Sequence, residues 1–252
     1  MGQNRLFCCG DLHGANDIQK LNTRNWPEQK ELSKEDVLVQ LGDFGLIWYP
    51  IGSNKEQEYW LEWLANKPFT TAVVLGNHEC YDIIDTLPWD TKWGNDVQYY
   101  ETFNGNRIYF LKRGAFYNIN GRKILAIGGA HSIDKLYRTE HVSWWSQEDI
   151  TFKETEACFD ELDEKGYTAD YILTHTCPSR LVVEFLLQSQ MYFQEKINDH
   201  TAEFLDEIDN RVEFGEWHFG HFHIDYKHVE TSDDGHEDIY QCHYNNPPME
   251  LK

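Results

Sequence analysis

Short apolar runs alternate with polar, helix-like stretches along most of this chain. Runs of strand length lie at Arg5–Cys9, Val37–Leu41, Thr71–Leu75, Arg107–Leu111, Lys123–Ile127 and Tyr171–Thr174. Three more follow late, at Glu216–Phe219, Ile224–Val229 and Ile239–Tyr244. Such runs, bounded by polar and glycine-rich segments, read as buried strands. Between them, Glu56–Leu64 places Tyr59, Trp60, Trp63 and Leu64 at helical spacing. Ser146 is expected to open a second helix, with Glu148 and Asp149 in the first turn, where the helix dipole favours acids. Gln194–Asp209 reads as a third helix, and Asp233-Asp234-Gly235 between two apolar runs as a hairpin turn. Strands alternating with helices predict an α/β fold built from βαβ units. No repeat, low-complexity tract or linker interrupts the pattern, so residues 1–252 are expected to form one domain.

Composition narrows the functional classes. Apolar residues make up 40% of the chain and aromatics 15%, enough for a large core, and the Trp144-Trp145 pair is expected to belong to it. No stretch approaches the roughly 20 apolar residues of a membrane-spanning helix, so no membrane partner is expected. The N-terminus lacks the apolar region of a signal peptide. Acylation at Gly2 is not expected either, because the first strand follows within a few residues. Six cysteines show no metal-binding spacing, and the adjacent Cys8 and Cys9 would face opposite sides of a strand. Reduced thiols and a cytoplasmic setting are the expectation. The net charge of −21 repels polyanions, so duplex nucleic acid is not an expected partner. A small phosphorylated substrate remains compatible with that charge, since bound divalent ions dominate the local field at such a site.

The candidate chemistry sits in five short segments, most of them after an apolar run. Gly10-Asp11-Leu12-His13-Gly14 offers a carboxylate and an imidazole, and Gly42-Asp43 a second carboxylate. Gly76-Asn77-His78-Glu79 adds an amide oxygen and a histidine, Thr174-His175 another imidazole, and Gly220-His221-Phe222-His223 two more. Mixed carboxylate, imidazole and amide donors suit borderline divalent ions, whereas a thiolate-rich set would point to structural zinc. Two such ions about 3.5–4 Å apart clamp the attacking and leaving oxygens of an in-line displacement. Glycine beside Asp11, His13, Asp43, Asn77 and His221 lets the backbone turn sharply and approach an ion closely.

In the content and order of these segments, which run from Asp11 to His223, the chain resembles the calcineurin-like metallophosphoesterase superfamily. The resemblance implies a four-layer sandwich of two mixed β-sheets flanked by α-helices, with ligands on loops at strand ends. It implies one ion held by Asp11, His13 and His223, a second held by Asn77, His175 and His221, and Asp43 as the bridge. Manganese is the expected metal, with iron, zinc, nickel and cobalt as alternatives. A hydroxide between the ions would attack a phosphoester, and His78 would serve the leaving group as a proton or hydrogen-bond donor. Glu79 is expected to brace a loop. His131, after Gly128-Gly129-Ala130, and Arg138 are the candidate substrate contacts, with Lys135 and Arg180 as further cations.

One departure bears on the substrate. Protein phosphatases of this superfamily extend the second block to Gly-Asp-x-x-Asp-Arg-Gly, and here Leu46 and Ile47 replace the Asp and Arg. That favours a small-molecule or nucleotide-type phosphoester over a phosphoprotein. A serine/threonine protein phosphatase and a catalytically silent scaffold are the competing readings, and neither monoesterase nor diesterase is selected by the motifs. Segment Arg180–His200, with Leu181, Val182, Phe185, Leu186, Tyr192 and Phe193, would either wall a substrate pocket or pack as an ordinary helix.

Overall fold

The computed structural model describes residues 4–189, 199–233 and 235–252. Its first sheet is built around four parallel strands: β1 (Leu6–Cys9), β2 (Val37–Leu41), β3 (Thr70–Val74) and, beyond two intervening strands, β6 (Arg107–Leu111). Those two, β4 (Trp89–Lys92) and β5 (Asn95–Glu101), extend the sheet antiparallel beyond β6. The second sheet contains β7 (Ala115–Ile119), β8 (Arg122–Ile127), β9 (Thr168–Thr174), β10 (Glu213–Phe219), β11 (Tyr226–Thr231) and β12 (Glu237–Cys242). The last strand, β13 (Met249–Leu251), returns to the first sheet and pairs antiparallel with β1. The spatial orders are β13-β1-β2-β3-β6-β5-β4 and β11-β12-β10-β9-β8-β7. Both sheets are mixed.

Residue alternation along the strands explains the layering. Cys8, Val39, Val74 and Leu111 of the first sheet meet Ala115, Tyr117, Ile124 and Leu173 of the second in a shared apolar layer. The opposite faces carry Phe7, Leu38, Val73 and Phe110, which pack with Leu61 and Leu64 of helix α1 (Lys55–Ala65). A short helix, α2 (Tyr81–Ile84), adds Tyr81 and Ile84 to this layer. On the far side, Leu125, Ile172 and Phe219 pack with helices α3 (Phe152–Lys165), α4 (Ser179–Ser189) and α5 (His200–Asp209). The result is helix, sheet, sheet, helix, with the parallel strands buried on both faces as their continuous apolar runs require.

Three strands lack a clear apolar run, and a fourth, β7, is apolar but lies outside the runs named above. In β4 and β5 polar residues such as Asp90, Lys92, Asp96 and Gln98 stand among the apolar ones, at an exposed edge. β13 has only three residues. β7 is apolar, and its signal was local: Asn120 and Gly121 take φ of 53° and 81°, the left-handed pair of a two-residue hairpin turn joining β7 to β8.

Ser146 does not open a helix. Residues Ser146–Glu148 form a single 3-10 turn, and the helix begins at Phe152. Thr151 is the stronger cap, because its hydroxyl accepts from the Glu154 amide while the Glu154 carboxylate accepts from the Thr151 amide. α5 begins at His200, capped by Asp199; residues 194–198 of the expected helix lie outside the described residues, as does Asp234 of the expected turn. β11 and β12 do pair as an antiparallel hairpin around that turn. Trp145 is buried in the layer that holds α1. Leu181 and Phe185 of α4 point into the core on the α3–α5 side, and Tyr192 and Phe193 lie outside the described residues. Among the described residues no helix is long and apolar enough to cross a membrane. All six cysteines are buried and unpaired.

Candidate metal centre

The ligand segments follow strands β1, β2, β3, β9 and β10, whose parallel course brings their carboxyl ends together. This is where α/β folds place their sites. Asp43 stands at the centre and is buried. Its Oδ2 lies 3.4 Å from His13 Nε2, and its Oδ1 lies 3.1 Å from His175 Nε2. The two oxygens thus face two different groups of donors.

On one side, Asp11 Oδ2 lies 3.3 Å from His223 Nε2 and 4.0 Å from His13 Nε2. Asp11, His13, Asp43 and His223 each offer one donor atom, all within 4.8 Å of one another. On the other side, Asn77 Oδ1 lies 3.1 Å from both His175 Nε2 and His221 Nδ1. Asn77 Nδ2 donates to the Ser132 hydroxyl at 3.1 Å, which turns the amide oxygen toward the histidines. His78 points elsewhere: its backbone N–H donates to Asp43 Oδ1 at 2.8 Å. Its ring nitrogens face the two terminal nitrogens of Arg138 at 3.1 and 3.2 Å.

Second partners orient the rings. His175 Nδ1 donates to the Leu41 carbonyl at 2.7 Å, which aims Nε2 at Asp43 and Asn77. His13 Nδ1 pairs with Asp17 Oδ2 at 2.8 Å, which aims its Nε2 at Asp43. His223 stacks on Tyr244, with ring centroids 4.7 Å apart and planes 16° from parallel. The buried Lys20 amine donates to the carbonyls of Asp11 and Tyr244, tying that loop to the end of the chain. None of Asp17, Lys20, Ser132 or Tyr244 carries a sequence signal of its own, because each matters only through what it touches across the fold.

The backbone is strained where the donors sit. His13, Asp43, His221 and His223 all take left-handed φ, at 44°, 51°, 69° and 53°. Such conformations cost non-glycine residues about 1–3 kcal/mol each and cluster at functional sites. The glycines have a different reason. A Cβ on Gly76 would overlap Asp43, one on Gly220 would overlap Asp11 Oδ1, and one on Gly42 would overlap the His175 ring.

Electrostatics shows a site short of positive charge. Burial opposes protonation of His13 and His175, yet neighbouring carboxylates, chiefly Asp43, still raise both to about 9. His221 falls to about 3 through burial and the neighbouring His175. Burial lowers His78 as well, with Asp43 opposing and Arg138 reinforcing, so its ring is neutral at neutral pH.

Glu79 braces two ligand loops. Fully buried, its carboxylate accepts from the amides of Phe44 at 2.7 Å, Gly45 at 3.1 Å and Gly76 at 3.3 Å. Burial, then Asp43, pushes it up to about 7 against those three donors. Glu79→Ala would orphan three amides, each worth about 1–3 kcal/mol when buried without a partner. A loss of at least about 2 kcal/mol in urea unfolding is expected, with a smaller loss for Glu79→Gln. An unchanged midpoint would contradict the bracing role.

The candidate cations separate clearly. Arg138 reaches His78 and is held by Asp134 at 2.7 Å and the Ser143 carbonyl at 3.1 Å. Lys135 lies over the Trp144 ring. Arg180 is engaged by Asp209, Glu230 and Tyr240 on the α4 surface. His131 pairs with Asp149 at 3.0 Å and contacts none of the clustered donors. Leu46 and Ile47 are buried in the α1 layer.

The sequence matches the calcineurin-like phosphoesterase family over residues 5–225, and the chain belongs to that family. No curated protein matches the sequence. Among solved structures, the chain is similar to the protein of unknown function AQ665 from Aquifex aeolicus. That similarity has 15% identity over 84% of this chain and 88% of that one, with a TM-score of 0.29.

Proposed function

We propose that the protein is a dinuclear metal-dependent phosphoesterase acting on a small-molecule or nucleotide-type phosphoester. The observation that carries this reading is Asp43, whose two oxygens face two separate donor sets. The residues fit a pair of divalent ions. Asp11 Oδ2 is buried without a well-formed hydrogen bond, facing the Nε2 atoms of His223 at 3.3 Å and His13 at 4.0 Å, a convergence of donors that a cation would satisfy. Asp11, His13 and His223 would hold one ion, Asn77, His175 and His221 the other, and Asp43 both. Bound there, the ions would supply Lewis acidity toward a phosphoryl oxygen and a nucleophile usable at neutral pH.

The chain's own groups do the rest. The Leu41 carbonyl and Asp17 keep His175 and His13 in the tautomer that presents Nε2. Neutral His78, released from Arg138 as that side chain turns to the phosphate, would offer a ring N–H to the leaving-group oxygen. Arg138 supplies the cation beside it that faces phosphate charge. It stands in for the arginine absent at Ile47, and the burial of Leu46 and Ile47 weighs against the protein-phosphatase reading. Arg138→Ala is expected to lower kcat/KM by about 10²-fold, with Arg138→Lys recovering only part because it loses the planar fork. Equal rates for all three enzymes would remove Arg138 from the site.

The manganese-loaded enzyme should hydrolyse p-nitrophenyl phosphate or its bis ester. Across linear and cyclic nucleotides, sugar phosphates, a phosphopeptide and duplex DNA, small esters should show the highest kcat/KM. A phosphopeptide or DNA leading by tenfold would overturn the substrate class, and no turnover of any ester would favour a silent scaffold.

A further inference from the structure

A second cluster of metal donors lies in the apolar layer between the sheets, apart from the seven residues above. Cys8 of β1, His218 of β10 and His243, just after β12, are all buried, and their donor atoms lie within 4.8 Å of one another. His243 Nε2 is 2.9 Å from His218 Nδ1 and 3.6 Å from Cys8 Sγ. Zn–N bonds of about 2.0–2.1 Å and a Zn–S bond of about 2.3 Å place tetrahedral donors roughly 3.3–3.6 Å apart, so the Cys8–His243 spacing already fits and the two imidazole nitrogens would part by about 0.4 Å around an ion. The other nitrogen of His218 pairs with Glu216 Oε2 at 3.0 Å. That carboxylate holds the ring so that Nδ1 faces His243 Nε2 inside the cluster, an arrangement like that of carboxylate-supported, metal-bound histidines. Cys8 sits among Leu, Val, Ile, Ala and Tyr side chains of that layer, and the His218 ring lies against Tyr171 of the same layer.

We infer that Cys8, His218 and His243 form a third metal site, with one thiolate and two imidazole donors, that takes a zinc-class divalent ion and clamps the two sheets together. Charge favours this ion. A divalent cation bound by the Cys8 thiolate, with the partly exposed Glu216 carboxylate on the outer nitrogen of His218, carries less net charge into the layer than a bare ion would. Binding would release the Cys8 thiol proton to solvent as the S–metal bond forms. Thiolate and imidazole donors also select zinc over manganese, so the two centres would draw different metals. Cys8 lies three residues before Asp11 and His218 three before His221, so the clamp would join the strand that leads to Asp11 and His13 with the strand that leads to His221 and His223.

Cobalt titration of the chelator-stripped protein tests this. The catalytic donors include no sulfur, so a thiolate-to-cobalt charge-transfer band in the near ultraviolet reports the inter-sheet site alone. Wild-type protein should bind one equivalent beyond those at the catalytic centre and show the band. Cys8→Ser should lose that equivalent and the band together while its circular dichroism is unchanged. Should the variant not fold, the wild-type spectrum still decides. A band would appear even if the catalytic centre bound nothing, so the two readings fail separately. Wild-type protein saturated with cobalt and lacking the band would overturn the site, leaving Glu216, His218, His243 and Cys8 as a hydrogen-bonded chain.

Discussion

His78→Ala is expected to lose about 10²–10⁴-fold in kcat while retaining its full metal content. The ring meets the His13 ring edge-on, with centroids 6.0 Å apart, and His78 is not among the residues whose donor atoms cluster. It is anchored by its backbone N–H on Asp43, and its ring nitrogens face Arg138. Removing it therefore leaves both donor sets intact. Burial and Arg138 keep the imidazole neutral, which favours hydrogen-bond donation over full proton transfer. His78→Gln, with an amide N–H at similar reach, should then recover part of the loss, whereas an obligate proton donor would show no recovery. Metal analysis alongside rates on a p-nitrophenyl ester checks both statements. Metal content falling in step with the rate would make His78 a ligand instead.

Asp43→Asn should be more damaging still. It is expected to lower kcat/KM by about 10³-fold or more and to reduce bound metal below two equivalents. Asn is the informative replacement because it tolerates left-handed φ, and Asp43 sits at 51°. The backbone can therefore stay in place while the central charge is removed. One oxygen of the carboxylate becomes an amide nitrogen, which can donate but cannot bind a cation. The side that receives it loses its shared donor. A variant that still holds two ions and turns over at the wild-type rate would show that Asp43 is not the bridge.

The seven donors and His78 stand out in the primary structure because their chemistry is intrinsic to residue type and to a short local context. The Gly-Asp and Gly-His pairs follow apolar runs, and each places a donor at a strand end without reference to the rest of the chain. The central strands are equally visible, since burial on both faces demands unbroken apolar sequence, as in Val37–Leu41. Edge strands such as β4 answer to solvent on one side and lose that signature. The helix start near residue 150 was misplaced because two acidic residues after Ser146 imitate a first turn. There Glu148 instead accepts from the Trp145 amide and the Ser132 hydroxyl.

Residue type and local spacing thus determined the α/β class, the donor inventory and the chemistry those donors suit. Tertiary structure decided the rest: which donors face one another, that Arg138 meets His78 across 60 positions, that Glu79 ties two loops, and that Cys8, His218 and His243 converge between the sheets. The physical reason is that strand order and register, not sequence separation, set distances between residues far apart in the chain. Left-handed backbone at His13, Asp43, His221 and His223 belongs with these. Such a conformation is unfavourable for the isolated residue and persists only where packing and hydrogen bonds around it outweigh its cost.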